Sequence, residues 1–334
     1  GSSGRGCGGG PLGGALPMPP AAAWPAGFTV ALGAFRTLLR HFPEPLVESA
    51  TASQAFLQPI ANNVGFPSLL LPRDVSVRAG SVRGVRGEWF LPASATSSAG
   101  AERLLVWAHG GGFVFCSPGT HRFFLAQVAS RARVPVFCVD YRKPPGAPFP
   151  APTEDVLDAF RGLSEQHGAA RLFLGGDSAG GNLAIAAARA LAKEPEASPA
   201  TPLHGVLLLS PWVDLSDFSA PSWETELDYI PANLAQVVAR QYAGDVPLDD
   251  ERLSPALSKD WRGFPPVLLD YAGEEHFRSQ IERLERNMLQ GGVQVDAKVE
   301  EGQVHGYPLW EFAWGWGPGP FKTYFDRVCA FLHR

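Results

Sequence analysis

Short apolar runs alternate with helical patterns along most of the chain from residue 73 onward. The runs are bounded by glycine and proline, as strands buried on both faces of a parallel sheet are. The runs lie at 104–108, 134–139, 171–174, 206–209 and 267–269. Helical patterns separate them at 118–132, 152–167, 179–193 and 276–290. The alternation predicts an α/β fold with a mostly parallel central sheet flanked by helices.

The composition excludes several classes of protein. A hydrophobic content of 45% in 334 residues is enough to form a packed core, so the chain as a whole is not disordered. The 37 glycines and 31 prolines follow no three-residue period, which excludes collagen. A net charge of −5 gives no electrostatic basis for nucleic-acid binding. The four scattered cysteines predict neither a disulfide scaffold nor a cysteine zinc site.

Three segments depart from the alternation. Residues 1–27 are rich in glycine and proline and carry a single charge, so we expect a disordered tail. Residues 28–72 contain two helical patterns and predict N-terminal cap helices. The main α/β domain then occupies 73–334. Within it, residues 212–264 carry no strand signal, which predicts a helical cap insertion over the ends of the strands.

The uncharged stretch between Gly6 and Phe35 raises the question of a membrane anchor. Five prolines and eight glycines interrupt it, whereas a spanning helix needs about 20 apolar residues. We therefore expect no membrane anchor, and the absence of a visible signal segment favours a cytoplasmic location. The sequence leaves a monomer and a homodimer equally open.

Two glycine-rich turns directly follow predicted strands. The first is HGGG at 109–112, and the second is G-x-S-x-G at 176–180. A serine on a tight strand-to-helix turn exposes its hydroxyl group, and the helix that begins there supplies free N–H groups. The N–H groups of an HGGG loop can approach a developing oxyanion because no side chains obstruct them. The pair of turns indicates Ser178 as a nucleophile with an oxyanion hole.

A nucleophilic serine needs a base and an acid. In α/β folds that carry the serine on such a strand-to-helix turn, the chain order is serine, acid, histidine. Four of the eight histidines precede Ser178. Among the others, His305 lies in a loop after the last strand signal and is the candidate base. Glu275 lies just beyond the strand that begins at 267 and is the candidate acid. Glu274 remains an alternative, and Asp270 lies too far back inside the strand.

These motifs resemble those of the hormone-sensitive-lipase-like family of α/β-hydrolases, the carboxylesterase and lipase branch with an HGGG loop. The resemblance covers about residues 70–310. It rests on segments 109–113 (HGGGF), 140–142 (DYR), 176–182 (GDSAGGN) and 210–215 (SPWVDL). It implies an α/β-hydrolase fold with a helical cap and a serine ester hydrolase that uses neither a metal nor an organic cofactor.

The resemblance also implies the roles of individual residues. The nucleophile falls on Ser178, the acid on Glu275 and the base on His305. The oxyanion hole is formed by the backbone N–H groups of Gly110, Gly111 and Ala179. Ser279 stands where a second aspartate usually follows the acid, which keeps the choice between Glu275 and Glu274 open.

The implied substrate is a small-molecule carboxylic ester of short to medium chain length. We expect three aromatic side chains near the catalytic loops to bind it: Phe113, Phe115 and Trp212. Three alternatives remain. They are an amidase or formamidase with the same triad, a long-chain lipase, and a non-catalytic small-molecule receptor of the same fold. Plant gibberellin receptors resemble this family but lack the catalytic histidine, so His305 favours an enzyme.

Overall fold

The computed structural model describes residues 24–41, 71–94, 101–168, 170–194, 203–314 and 319–334. These described residues form eight β-strands. The strands are β1 (Val75–Val82), β2 (Val85–Pro92), β3 (Arg103–Ala108), β4 (Val136–Val139), β5 (Arg171–Asp177), β6 (Leu203–Leu209), β7 (Val267–Ala272) and β8 (Val295–Glu300). Most of the predicted tail, and the second of the two predicted N-terminal helices, lie outside the described residues.

The same residues form eight α-helices. The helices are α1 (Ala26–Arg40), α2 (Arg122–Ala132), α3 (Ala151–Gln166), α4 (Ser178–Ala192), α5 (Ala232–Ala243), α6 (Arg278–Gln290), α7 (Glu311–Trp314) and α8 (Phe321–Leu332). In the described part of the chain, no helix has both the length and the apolar character needed to span a membrane.

All eight strands belong to one sheet with the order β1-β2-β4-β3-β5-β6-β7-β8. β1 pairs with β2, and β2 with β4, in antiparallel fashion. Every pairing from β4 to β8 is parallel. Parallel neighbours require crossover connections, and helices provide them here. The predicted α/β class with a mostly parallel sheet is confirmed.

The central strands are apolar on both sides because helices cover both faces of the sheet. In β3, Leu104 and Val106 belong to one hydrophobic cluster, whereas Leu105 and Trp107 belong to another. Successive side chains of a strand point to opposite faces, so the two clusters lie on opposite sides of the sheet. A continuous apolar run is therefore the expected sequence signature of such a strand.

The turn from β5 to α4 packs so tightly that side chains are excluded beside it. A Cβ atom on Gly180 would lie 2.0 Å from the carbonyl oxygen of Ala108, and one on Gly176 would lie 2.3 Å from the carbonyl oxygen of Gly180. Ser178, at the turn, has a φ of 52°, in the left-handed region that residues with a Cβ rarely adopt. This packing places the first turn of α4 against the end of β3.

The start of α1 differs from the predicted boundary at residue 27. The helix begins at Ala26, so the last two residues of the predicted disordered tail are helical. The indole Nε1 of Trp24 donates to the carbonyl oxygen of Gly302 at 2.8 Å, and the indole packs edge-on against Phe28 at 5.2 Å. These aromatic contacts order a segment whose glycine and proline content suggested disorder.

The segment at 212–264 is fully described and contains α5 and no strand. Helix α1 contacts it directly. The Arg36 guanidinium donates to the carbonyl oxygen of Leu227, and the Phe35 ring lies 5.3 Å from the Tyr229 ring. These contacts support the interpretation of α1 and the insertion as parts of one cap, which stays a prediction.

The packing at Gly180 leads to a stability prediction. We expect Gly180→Ala to lower the free energy of unfolding by about 3 kcal/mol, because the added methyl group meets backbone atoms that cannot yield. In α1, a Cβ on Gly33 would meet nothing within 4 Å. We expect Gly33→Ala to raise the free energy of unfolding by about 0.5–1 kcal/mol. Chemical denaturation of both variants checks this, and equal stability of the two would contradict it.

Candidate active site

The loops that follow neighbouring parallel strands meet at one edge of the sheet. Ser178 follows β5, Ser210 follows β6, and the loops beyond β7 and β8 carry Glu275 and His305. The backbone N–H of Trp212 donates to the carbonyl oxygen of Ser178 at 2.9 Å. The N–H of Gly306 donates to the Ser210 hydroxyl at 3.1 Å. These bonds connect the serine loop to the histidine loop.

Ser178 lies at the first position of α4, and its residue surface is 8% exposed. The first N–H groups of a helix have no partner within the helix, and the helix dipole adds partial positive charge at this end. A Cβ on Gly110 would lie 3.1 Å from the Ser178 Cβ, so the HGGG loop directly adjoins the serine. Ser178 is therefore next to both the start of α4 and the HGGG loop.

The acid that faces His305 is Glu275. The Nδ1 atom of His305 lies 3.5 Å from Oε2 of Glu275, and both side chains are buried. The N–H of Ala272 also points to this carboxylate oxygen, at 3.4 Å. Glu274 is half-buried, whereas Asp270 forms an ion pair with Arg327 at 3.3 Å. The geometry therefore favours the first of the two candidate acids.

The surroundings of His305 favour its charged form. Burial is the largest single influence and opposes the imidazolium, but nearby carboxylates outweigh it, with Glu275 first and then Asp228 and Asp177. The pKa of His305 is consequently raised above its usual value. A histidine in such surroundings is well suited to accept a proton from a neighbouring group.

Two of the three aromatic residues expected to bind substrate are instead packed into the core. Phe113 has no exposed surface and stacks on Tyr242 with 3.8 Å between ring centroids. Trp212 is 2% exposed and stacks on Phe277, whose edge faces the His305 ring at 4.9 Å. Both rings are buried beside the site and offer no open wall, and their expected role in substrate binding stays a prediction. Phe115 is half-buried and remains a candidate.

One of the three expected oxyanion donors is already engaged. The N–H of Gly110 donates to Oδ1 of Asp177 at 3.1 Å, so in this structure it is not free to donate to an oxyanion. The N–H groups of Gly111, Gly112 and Ala179 have no hydrogen-bond acceptor among the described residues. Gly111 and Gly112 have φ values of 117° and 60°, which only glycine adopts easily. Gly112 thus replaces Gly110 in the set of available donors.

A buried hydrogen-bond network built on Asp177 holds the HGGG loop. Its Oδ1 accepts the Trp107 indole N–H at 3.0 Å as well as the Gly110 N–H, and its Oδ2 lies 3.1 Å from Nε2 of His121. The Thr120 hydroxyl donates to the carbonyl oxygen of Ser117 at 2.6 Å and lies 2.8 Å from Nδ1 of His121, so His121 is held between Thr120 and Asp177.

Sequence reasoning named the HGGG loop but did not choose Gly112 as a donor, and it did not single out Asp177 or His121. Asp177 directly precedes the serine within the G-x-S-x-G turn, so its place in the motif was a usable signal. His121 lies 56 residues away along the chain, and no spacing rule connects the two. Among the described residues, no group of three or more histidine, cysteine or acidic side chains is arranged to hold a metal ion.

Comparison with known proteins gives consistent matches. A family model described as the alpha/beta hydrolase fold matches residues 105–309. An acetyl-hydrolase of Streptomyces hygroscopicus is 34% identical over 239 residues, which cover 70% of this chain and 73% of that protein. An esterase of Acinetobacter venetianus is 30% identical over 285 residues, which cover 82% and 90%. A crystal structure of an esterase from the bacterial hormone-sensitive lipase family matches with a TM-score of 0.77 at 27% identity, covering 93% of this chain and 98% of that one.

The sheet order, the turn at Ser178 and the HGGG loop define an α/β-hydrolase. The family match spans more than half of the chain, so the chain belongs to the alpha/beta hydrolase family. The similarity to the esterase structure confirms the resemblance to the hormone-sensitive-lipase-like group within that family.

The Asp177 network leads to a prediction for two variants. Asp177→Ala leaves the buried N–H groups of Trp107 and Gly110 without an acceptor and removes the partner of His121. We expect it to lower the free energy of unfolding by about 3 kcal/mol and the turnover rate by about 10²-fold. Asp177→Asn keeps an oxygen for Trp107 and Gly110 and a polar group beside His121. We expect it to retain turnover within about tenfold.

Denaturation curves and ester turnover measure both effects, with Asp326→Ala as the control. Asp326 forms an exposed ion pair with Lys322, far from the catalytic loops in sequence, and its loss should change little. Equal effects of the alanine and asparagine variants at Asp177 would contradict the network.

Proposed function

We propose that the chain hydrolyses carboxylic esters through an acyl-enzyme formed on Ser178. The observation that carries the proposal is the buried pair of His305 and Glu275, with Nδ1 and Oε2 separated by 3.5 Å. Hydrogen bonds connect the loop of His305 to the loop of Ser178, whose φ lies in the left-handed region. A serine hydroxyl is a weak nucleophile until a base accepts its proton. The carboxylate of Glu275 orients the imidazole and stabilises its charged form.

In the proposed reaction, the Ser178 oxygen attacks the ester carbonyl carbon while His305 accepts the hydroxyl proton. The oxyanion that forms accepts hydrogen bonds from the N–H groups of Gly111, Gly112 and Ala179. His305 then gives its proton to the leaving alcohol as the tetrahedral intermediate collapses to the acyl-enzyme. Water, deprotonated by His305, attacks the acyl carbonyl, and the acid product leaves with the regeneration of the serine.

The electrostatics of the site supports this assignment of roles. The carboxylates that raise the pKa of His305 stabilise the imidazolium, which exists only after the proton has moved. The unengaged N–H groups at the start of α4 and in the HGGG loop are complementary to the oxyanion that forms in the same step. Both features favour the transition state over the bound substrate.

The substrate class is supported by the relatives and by the close approach of α5 to the HGGG loop. The matched relatives are named acetyl-hydrolase and esterase, which favours a short acyl group. Val238 of α5 would lie 3.0 Å from a Cβ on Gly112, so the insertion borders the HGGG loop closely. We therefore propose esters with acyl chains of short to medium length as substrates.

The nucleophile can be tested with one substitution. We expect Ser178→Ala to lower the turnover of 4-nitrophenyl butyrate by about 10⁴–10⁶-fold, because the acyl-enzyme can no longer form. Ser130→Ala, which removes a partly exposed hydroxyl bonded to Asp74, is the matched control and should keep the parent rate. Hydrolysis by Ser178→Ala at the parent rate would end the proposal.

The type of bond that is cleaved and the preferred length of the acyl chain can be tested with a substrate series. We expect 4-nitrophenyl acetate and butyrate to react faster than the palmitate ester. We also expect the butyrate ester to react faster than butyryl 4-nitroanilide or an aryl formamide. Faster turnover of palmitate would indicate a lipase, and faster turnover of the amides would indicate an amidase. Ligand binding without release of acid from any ester would indicate a receptor.

A further inference from the structure

The backbone of His305 is bound at both of its polar groups by two consecutive residues of the insertion. Oδ1 of Asp228 accepts the His305 N–H at 3.3 Å. The Tyr229 hydroxyl donates to the His305 carbonyl oxygen at 3.2 Å. The Asp228 side chain is almost completely buried, and the Tyr229 ring lies 6.0 Å from the imidazole. Side chains of the insertion therefore bind the main chain of the candidate base.

The second oxygen of Asp228 binds the loop that carries the candidate acid. Oδ2 accepts the backbone N–H of His276 at 2.9 Å, and His276 directly follows Glu275. The imidazole of His276 donates from Nε2 to the carbonyl oxygen of Thr225 at 3.1 Å and stacks on Trp223. One buried carboxylate thus connects the acid loop and the base loop, which follow different strands.

Helix α1 also contacts this part of the insertion, at Leu227 and Tyr229. Arg36 donates to the carbonyl oxygen of Leu227, the residue just before Asp228. The Phe35 ring packs against Tyr229, and the Trp310 ring lies 5.5 Å from each of them. The position of His305 therefore depends on α1 and the insertion being in place on the α/β domain.

Among the described residues, the carboxylates of Glu275, Asp228 and Asp177 act on the His305 imidazole, and the Tyr229 hydroxyl lies beside its backbone. Beyond Asp228 lie the His276 imidazole, at 3.5 Å from that carboxylate, and the Arg36 guanidinium, which interacts with it electrostatically. Burial raises the pKa of Tyr229 well above its usual value, so its hydroxyl stays a donor. The negative charge of Asp228 favours the imidazolium form of His305.

We propose that Asp228 and Tyr229 form a positioning clamp through which the cap holds the catalytic base. The inference rests on the proposed function, because it takes His305 as the base. Asp228 sets the relative position of the acid and base loops and adds to the field at the imidazole. Tyr229 restrains the carbonyl side of His305 without changing the charge. Neither residue touches the reacting atoms, so both act through His305.

The charge of Asp228 and the restraint by Tyr229 can be distinguished in the pH dependence of kcat/KM. The acid limb of that profile reports the pKa of the base in the free enzyme. The neutral imidazole is the active form, so activity falls as the pH drops through the pKa of His305. Asp228→Asn removes a negative charge, which lowers that pKa and should move the acid limb to lower pH. It should also lower kcat at the plateau by about 10- to 100-fold, because one backbone N–H loses its acceptor.

Tyr229→Phe should lower kcat at the plateau by about 2- to 10-fold, the equivalent of one neutral hydrogen bond, with the acid limb and KM unchanged. Asp217→Asn is the matched control, since Asp217 belongs to the same insertion but pairs with Arg283 at 3.0 Å. It should keep both the rate and the acid limb of the parent. A purely structural role of Asp228 would lower stability and activity without moving the acid limb.

Parent values of kcat and of the acid limb in both Asp228→Asn and Tyr229→Phe would overturn the inference. If Asp228→Asn does not fold, Tyr229→Phe decides, and an unchanged plateau in that variant overturns the clamp. Ser178→Ala, measured in parallel, distinguishes a failure of the clamp from a failure of the proposed function. If it is inactive while both clamp variants match the parent, only this inference fails, whereas an active Ser178→Ala removes the proposed function itself.

Discussion

The close approach of the β5–α4 turn to the end of β3 is the constraint on which the site depends. A Cβ on Gly180 would lie 2.0 Å from the Ala108 carbonyl oxygen, and Ser178 accepts a left-handed φ at the same turn. This contact puts the serine beside the 109–112 loop and directs the start of α4 to the same point. A parallel sheet allows such a meeting because the ends of neighbouring strands, and the loops that follow them, lie along one edge.

Buried carboxylates then fix the loops that the sheet brings together. Asp177 binds the HGGG loop through the Gly110 N–H, and Asp228 binds the His276 and His305 N–H groups. A buried charge is costly unless hydrogen-bond donors surround it, and backbone N–H groups meet that need without mobile side chains. With Glu275, the same charges favour the imidazolium form of His305, so groups that hold the architecture also set its electrostatics.

The fold and part of the candidate site could be predicted because their signals are local or ordered along the chain. Continuous apolar runs predicted the central strands. The order serine, acid, histidine singled out Ser178 and His305 and left Glu275 and Glu274 as candidate acids, and the roles of all of them stay proposals. The sequence could not show that the Gly110 N–H already has an acceptor, because that hydrogen bond depends on the direction of the Asp177 side chain. Phe113 and Trp212 were expected at the substrate because of their position in the chain, but packing against Tyr242 and Phe277 buries them.

The order of residues was sufficient to specify the alternating strands and helices, the glycine turn around Ser178 and the candidates for acid and base. These features depend on backbone preferences and on hydrophobic patterns, which act over a few neighbouring residues. Only the three-dimensional arrangement favours Glu275 over Glu274 as the proposed acid and Gly112 over Gly110 as a proposed donor, and only it shows the contacts of Asp228 and Tyr229 with His305. Each depends on where a side chain points across tens of residues of intervening chain, and only packing of the whole domain sets that direction.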